Sequence, residues 1–244
     1  LNEIAQKGEG TDLWAQMSAL YAGIAADDEA DDEWRFEVLR RRALIVEEKL
    51  ENGEEAIGLW ERLHAHDNTQ LEPIQHLEKL YKDSSAFEKL VKLYEFETDL
   101  SEFSDEERIA KQLEAAQIYE DLLDRYEDAI RIFRGILEID STQSDALNAL
   151  ERLYNSHEMW NELASLYEDE LGIYTEADQA RALNIKLAEV SDAHLSDYDR
   201  AIECYRTIID GNHDDVEAVS LADRLLKKLA GLEDVRDHRE ALCE

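Results

Sequence analysis

A long internal repeat of apolar residues limits the fold of this chain more than any other feature. Aromatic residues stand at Trp14, Phe87 and Trp160, at equal intervals of about 73 residues. Tyr21, Tyr94 and Tyr167 keep the same spacing. Two further sets keep it with a second step that is shorter by a single position: Ala56-Ile57, Ala129-Ile130 and Ala201-Ile202; Trp60, Phe133 and Tyr205. A repeat of this kind is typical of arrays in which similar modules stack on their neighbours.

Within each period the apolar residues follow the spacing of an α-helix. Leu147, Leu150 and Tyr154, for example, fall on one helical face. No segment alternates at period two, and nine Gly and one Pro in 244 residues offer little material for tight β-turns. The predicted helices cover 10–26, 31–51, 53–66, 69–82, 84–100, 104–124, 126–139, 142–155, 157–173, 176–195, 197–210, 213–229 and 232–243.

The predicted linkers are short and polar. Several contain side chains suited to N-caps, and Pro73 falls in a first turn, where its missing N–H costs little. The expected caps are Asn68-Thr69, Ser104-Asp105, Ser141-Thr142 and Asp214-Asp215. Short linkers make consecutive helices antiparallel, and one helical pair cannot bury its apolar stripe alone, so we expect neighbouring pairs to stack.

One segment has the residue pattern of a known helical pair. In 182–210, Leu187-Ala188 gives a large-small pair, Ala201 a small residue where helices touch, and Tyr205 and Ile208 a packing face. Two further sets repeat it: Ala115-Ala116 with Ala129, Phe133 and Ile136, and, more loosely, Arg42-Ala43 with Ala56, Trp60 and Leu63. The chain thus resembles the tetratricopeptide-repeat (TPR) family, in divergent units.

Two departures from the family pattern leave a related helical-hairpin solenoid open as an alternative. The proline that usually closes a unit is missing after Ile139 and Ile209. Acidic residues also stand where the small residue of alternate units belongs, namely Glu78, Glu151 and Asp223.

Either resemblance implies an all-α fold, a right-handed α-solenoid of antiparallel helix pairs with about 12–13 helices. The first helix of each pair would line the concave face. We expect a single domain over 1–244, with long periods 14–86, 87–159 and 160–232 and a partial repeat at 233–244. Because Leu1, Ile4 and the segment 232–242 continue the pattern, a fragment of a longer array is expected.

The charge balance restricts the class of partner. Sixty Asp and Glu against 26 Lys and Arg give a net charge of −34, which repels nucleic acid and anionic membranes. We therefore expect neither as a partner; a basic partner, solubility or a saline environment each accounts for the acidity. No apolar run approaches the length of a membrane-spanning helix, and two cysteines cannot form a disulfide framework, which favours a cytoplasmic location.

The family resemblance implies binding of a protein or peptide along the first helices. Basic and amide side chains recur at exposed positions of alternate first helices. The candidate partner-binding residues are Gln75, Lys79, Lys82, Asn148, Arg152, Asn155, Ser220, Arg224 and Lys227. Such groups suit a peptide carboxylate or an acidic segment. Alternatively, Lys79, Arg152 and Arg224 pair within the stack with Glu47, Glu120 and Asp192.

No pattern in the sequence favours catalysis, a cofactor or a metal. His64 and His66 lie two positions apart and point away from each other, and His76 falls on the next helix, so a metal site is not expected. Cys204 replaces Leu59 and Ile132 of the other periods and is predicted to be a small core residue. The acidic run 27–33 lacks the glycine of a calcium loop and is interpreted as a solvated linker.

The sequence therefore predicts a non-catalytic protein–protein interaction scaffold. The alternative is a structural or assembly segment of a longer repeat protein that self-associates through its ends.

Overall fold

A computed structural model of the chain describes residues 10–26, 31–98, 104–174 and 176–231. Leu1, Ile4, Cys243 and the helix predicted at 232–243 lie outside these ranges. In the described residues the regular structure is helical throughout, which confirms the predicted all-α helical repeat. The α-helices are α1 Gly10–Ala25, α2 Asp32–Glu48, α3 Gly53–His66, α4 Leu71–Asp83, α5 Phe87–Thr98, α6 Asp105–Asp121, α7 Tyr126–Ile139, α8 Ser144–Ser156, α9 Trp160–Ile173, α10 Ala177–Val190, α11 Tyr198–Gly211 and α12 Val216–Ala230.

The chain divides into two compact units. Unit 1 is Leu1–Arg125 and unit 2 is Tyr126–Glu244. Consecutive helices pack on one another within each unit. We call α2, α4, α6, α8, α10 and α12 the first helices, and α3, α5, α7, α9 and α11 the second helices. The single continuous array over 1–244 stays a prediction.

The positions that repeat in the sequence form the cores of the two units. Trp60, Phe133 and Tyr205 are buried on alternate second helices, α3, α7 and α11. The small residues one turn earlier, Ala56, Ala129 and Ala201, are fully buried and let adjacent helices approach closely. In the described part of the chain no helix is long and apolar enough to cross a membrane.

The caps follow the sequence prediction at two helices and depart from it at two others. Ser104 accepts a hydrogen bond from the Glu107 N–H at the start of α6, and Asp215 accepts one from Ala218 at the start of α12. The caps expected at 68–69 and 141–142 are wrong. There the N–H groups of Thr69 and Thr142 donate to Asp67 and Asp140, at 3.1 and 2.9 Å, in turns that delay the next helix to residues 71 and 144.

Every described turn that joins a first helix to a second helix contains a non-glycine residue in the left-handed region. These residues, with their φ angles, are Glu51 (49°), Ser85 (56°), Asp124 (53°), Glu158 (56°) and Ser196 (54°). Each next N–H donates back to a carbonyl of the last helical turns, as Ala86 does to Tyr81 at 2.8 Å. The predicted helices 31–51 and 104–124 therefore end early, at Glu48 and Asp121.

Replacing Ser85 with glycine is expected to raise the free energy of unfolding by about 0.5–1 kcal/mol. A side chain in the left-handed region costs about 1–2 kcal/mol, and the greater freedom of glycine in the unfolded chain offsets part of the gain. The urea midpoint measures the change. Ser84→Gly is the matched control: Ser84 has φ −90° and its hydroxyl donates to Leu80, so this change should lower the midpoint. A midpoint of Ser85→Gly at or below that of the original chain would contradict the assignment of strain to this turn.

The helix predicted at 176–195 changes character near its end. Its α-helical part stops at Val190, and Ser191–Leu195 form a π-helical turn that ends at the left-handed Ser196. The repeat also contracts in this region: the interval from Asp124 to Ser196 is shorter by a single position than the interval from Glu51 to Asp124. Turns of π-helix are rare in proteins as a whole, but those that occur often lie at functional sites.

Candidate binding surface of the first helices

The nine candidate residues lie on three first helices. Gln75, Lys79 and Lys82 are on α4, Asn148, Arg152 and Asn155 on α8, and Ser220, Arg224 and Lys227 on α12. All nine are exposed in their own unit. On each helix they occupy one face, because they are spaced by three or four positions.

In unit 1 the two candidate lysines are engaged by carboxylates of neighbouring first helices. Lys79 Nζ lies 3.0 Å from Glu47 of α2, so the internal pairing foreseen for this residue is present. Lys82 Nζ lies 2.9 Å from Glu78 and 2.7 Å from Glu114 of α6. Arg40 of α2 adds a further link, its guanidinium reaching Glu72 at 2.5 and 2.8 Å.

Glu47 is a buried carboxylate with three donors. The indole N–H of Trp60 donates to it at 2.9 Å, and His76 Nδ1 lies 2.7 Å away with its ring stacked on Trp60. Burial by itself raises the pKa of Glu47, but the hydrogen bonds from Lys79, Trp60 and His76 outweigh it and hold the pKa below its ordinary value. Glu47 is therefore charged at neutral pH and forms an ion pair with Lys79.

A cluster of two glutamates, a tyrosine and a lysine occurs in both units. In unit 1, Glu78 accepts from Tyr94 at 3.1 Å and from Lys111 of α6 at 2.6 Å, and Glu97 lies beside Lys111. In unit 2, Glu151 accepts from the Tyr167 hydroxyl and from Lys186 of α10, at 2.8 and 2.7 Å, and the counterpart of Glu97 is Glu170. Glu78 and Glu151 occupy the position at which the family pattern has a small residue. In this chain each of them binds a buried tyrosine and a lysine of the next first helix.

The second glutamate of each cluster has an unusual pKa. Burial raises the pKa of Glu97 and outweighs the attraction of Lys111, which lowers it. Burial also raises the pKa of Glu170, and the charge of Glu151 adds to that effect. Carboxyl groups whose charge is so poorly accommodated lower the stability of the folded chain at neutral pH.

In unit 2 a cleft opens beside the first helices and contains two of the nine candidates. This first-helix cleft has a volume of about 410 Å³ and is lined by Asn155, Trp160, Tyr167, Lys186, Glu189, Val190, Asp192, Ala193, His194, Tyr205 and Arg224. Residues far apart in sequence converge here because α8, α9, α10, α11 and α12 each contribute one or more of them. The π-helical turn closes one side, where His194 stacks on Trp160 with ring centroids 3.6 Å apart.

Arg224 has a different environment from the one expected. Its foreseen partner, Asp192, instead accepts from Lys228 Nζ at 2.6 Å, one turn further along α12. The expected pairing of Arg224 with Asp192 is therefore wrong. Arg224 forms no ion pair with a described residue of unit 2, and its positive charge lowers the pKa of the neighbouring Tyr205, which burial raises overall.

The other candidates on α8 and α12 remain outside the cleft. Lys227 Nζ lies 2.5 Å from Asp223 on its own helix. Arg152 is exposed on α8, and its expected partner Glu120 belongs to unit 1, so that pairing stays a prediction. Lys186, Glu189 and His194 are cleft residues that were not named from the sequence, and Trp160 was named there as a repeat position and not as a binding residue.

The side chains considered for other chemistry are dispersed. His64 packs edge-on against Phe96, His66 lies near Phe36, and His76 stacks on Trp60. Within the described ranges, no group of three or more His, Cys, Asp or Glu is placed to hold a metal ion. Cys204 is buried in the core, and burial raises the pKa of its thiol to about 12, which leaves it protonated and unreactive. Of the acidic run 27–33, residues 27–30 lie outside the described part.

Comparisons with known proteins give distant structural similarity. No protein-family model and no curated protein sequence matches this chain. A TPR protein from Parabacteroides merdae is 12% identical, with 92% of this chain and 95% of that one covered and a TM-score of 0.38. The C-terminal part of a TPR protein from Cytophaga hutchinsonii is 14% identical (88% and 89% covered, TM-score 0.36), as is MamA (80% and 92% covered, TM-score 0.36). The assignment of an all-α helical repeat rests on the helices and packing of the chain itself.

Proposed function

We propose, from the premise of an all-α helical repeat whose units resemble tetratricopeptide repeats, that this chain is a non-catalytic scaffold for protein–protein interaction. It binds a peptide or protein segment along the first helices, the face that the sequence predicts to be concave. In unit 2 the first-helix cleft receives a carboxylate of that segment, either its C-terminus or an acidic side chain.

Arg224 is the observation that carries this proposal. A guanidinium offers two parallel N–H groups to a carboxylate, and such charge-assisted pairs are about twice as strong as neutral hydrogen bonds. The other cations near the cleft are engaged, Lys186 by Glu151 and Lys228 by Asp192. Among the cations of the cleft, Arg224 can therefore bind a new carboxylate without breaking an ion pair to another described residue.

The remaining residues of the cleft suit an extended segment. Asn155 offers an amide beside Arg224, and the stacked rings of Trp160 and His194 offer a flat apolar surface. Glu189 brings a negative charge to the same cleft, so a segment with a basic residue near its carboxylate meets both signs of charge and is oriented by them. Because the helices fix these side chains in place, little ordering entropy opposes binding.

Arg224→Glu is expected to weaken binding of a carboxylate-bearing peptide by on the order of tenfold, about 1.4 kcal/mol. The probe is a fluorescein-labelled twelve-residue peptide of alternating Leu and Ser with one Lys near a free C-terminal carboxylate, titrated by fluorescence anisotropy. Arg206→Glu on α11 makes the same change in net charge away from the cleft and should leave the affinity within about twofold. The double variant Arg152→Glu with Arg224→Glu should abolish binding while circular dichroism shows unchanged helical content.

Equal affinities of the Arg224→Glu and Arg206→Glu variants would reject the proposal, as would a failure of the original chain to bind the probe. Light scattering on the same samples tests the alternative of self-association through the ends. That alternative predicts a mass that rises with protein concentration and does not respond to Arg224→Glu.

A further inference from the structure

Unit 2 contains a second groove, on the side of the second helices. Its floor is formed by Leu147, Leu150 and Tyr154 of α8, and its walls by α7 and α9. The volume is about 530 Å³. We call it the acidic second-helix groove. None of the nine candidate residues of the first helices lines it.

The rim of this groove carries four carboxylates, of which Glu170 also feels the positive charge of Lys186 on α10. They are Glu138 on α7 and Glu162, Asp169 and Glu170 on α9. None of the four forms an ion pair with a described residue. The cation among the lining residues is Arg134, whose Nε donates to the Tyr154 hydroxyl at 2.7 Å, with the guanidinium near the ring face. The rim is thus strongly negative around an apolar floor.

Unit 1 has an equivalent groove with the opposite pattern of charge. It lies one repeat period earlier in the chain, where Leu77, Tyr81 and Leu93 correspond to Leu150, Tyr154 and Leu166. The charged and central residues differ: Glu61 replaces Arg134, Lys89 replaces Glu162, Lys92 replaces Ser165 and Phe96 replaces Asp169.

The carboxylate of the unit 1 groove, in contrast, is neutralised. Glu61 accepts from the Tyr81 hydroxyl at 2.9 Å and from Lys89 Nζ at 2.8 Å. Lys92 leaves a surplus of positive charge on that rim. Two grooves of the same architecture therefore differ in the charge of the partner that they attract.

We propose that the acidic second-helix groove of unit 2 docks a basic amphipathic helix of a partner protein. Leucine-like side chains at i, i+3, i+4 and i+7 of that helix would contact Leu147, Leu150 and Leu166, and Lys or Arg beside them would meet the four rim carboxylates. The walls are helices of 14 residues, about 21 Å long, which suits a partner helix of about four turns. The unit 1 groove does not attract the same helix, because Glu61 and Lys89 neutralise each other and the remaining charge is that of Lys92.

The test uses a labelled 14-residue peptide of Leu and Lys with leucines at helical spacing, titrated by anisotropy at physiological salt. Glu162→Lys with Asp169→Lys is expected to weaken binding by on the order of 20-fold, because attraction at the rim becomes repulsion. The matched control, Glu203→Lys with Asp214→Lys, changes the net charge equally at exposed positions outside the groove and should cost about threefold or less.

A third variant separates the groove from the general acidity of the chain. Ser165 is exposed and lines the groove, so Ser165→Trp fills it without a change in charge and should weaken binding on the order of tenfold. Undiminished binding by Ser165→Trp, or equal binding of a scrambled Leu/Lys peptide, would overturn the proposal. Circular dichroism verifies that the variants are folded. Arg224→Glu should leave binding of this peptide unchanged, so the proposal stands or fails independently of the first-helix cleft.

Discussion

Replacing Lys111 with methionine is expected to lower the free energy of unfolding by about 3 kcal/mol at pH 7. Lys111 Nζ lies 2.6 Å from a carboxylate oxygen of Glu78 and 2.9 Å from one of Glu97, whose side chain is 2% exposed. Without the cation, two carboxylates of the same charge face each other in a buried site. Urea unfolding followed by circular dichroism measures the loss.

The origin of that loss is tested by adding Glu97→Gln to the Lys111→Met variant, which should recover about half of it.

Glu97 also sets the pH dependence of the loss. Its pKa is raised in the folded chain above the ordinary 4.5, so the destabilisation by its charge is fully present above the folded pKa and disappears as the pH falls from that pKa to 4.5. The difference between Lys111→Met and the original chain should therefore shrink on acidification.

Lys186→Met in unit 2 is the matched control for Lys111→Met. Lys186 pairs with Glu151 in the equivalent cluster, but its side chain is 45% exposed against 23% for Lys111. Solvent screening should limit its cost to about 1 kcal/mol. Equal losses in the two variants would contradict the role assigned to burial.

Trp60→Ala is expected to cost about 3–5 kcal/mol, because it leaves a large cavity in the core of unit 1. Trp60 is 0% exposed, and His76 stacks on its ring with centroids 4.1 Å apart. The indole N–H also donates to Glu47, which would lose one of its three donors. Calorimetric or urea unfolding reports the change.

Two companions divide the effect of Trp60 into packing and hydrogen bonding. Trp60→Phe keeps an aromatic ring but removes the N–H. It should lower the free energy of unfolding by about 1–3 kcal/mol, because the buried carboxylate of Glu47 loses a donor and some packing is lost. Trp34→Ala is the control: Trp34 is 49% exposed, and its removal should change stability by about 0.5 kcal/mol or less. A loss below about 1 kcal/mol for Trp60→Ala would show that Trp60 is not a core residue.

The helices and their cores could be predicted from the sequence because burial of apolar side chains repeats at a fixed interval. The helix ends were less accessible. Glu51 and Ser85 adopt the left-handed conformation without the glycine that usually marks it, so no residue type signals the end of the preceding helix. Likewise, Asp67 closes a turn before α4 through side-chain hydrogen bonds that compete with helix formation.

The candidate surface was predictable as a set of exposed positions but not as a set of contacts. The apolar residues of a helix mark the face that packs into the core, and their spacing therefore shows which residues lie on the opposite, exposed face. Ion pairs depend on how two long side chains extend between helices. Asp192 pairs with Lys228 and not with Arg224, which lies one helical turn earlier on α12. The acidic second-helix groove was hidden for another reason, since its floor residues are indistinguishable in sequence from ordinary core.

The salt links between first helices make the capture of an anion at Lys79 an exchange, with no net gain of a pair. An arriving carboxylate that displaced Glu47 would leave it with Trp60 and His76 as its partners, in a site where its side chain is only 5% exposed. Lys79 and Lys82 therefore offer less to an anionic partner than Arg224 does, because each already has a carboxylate partner.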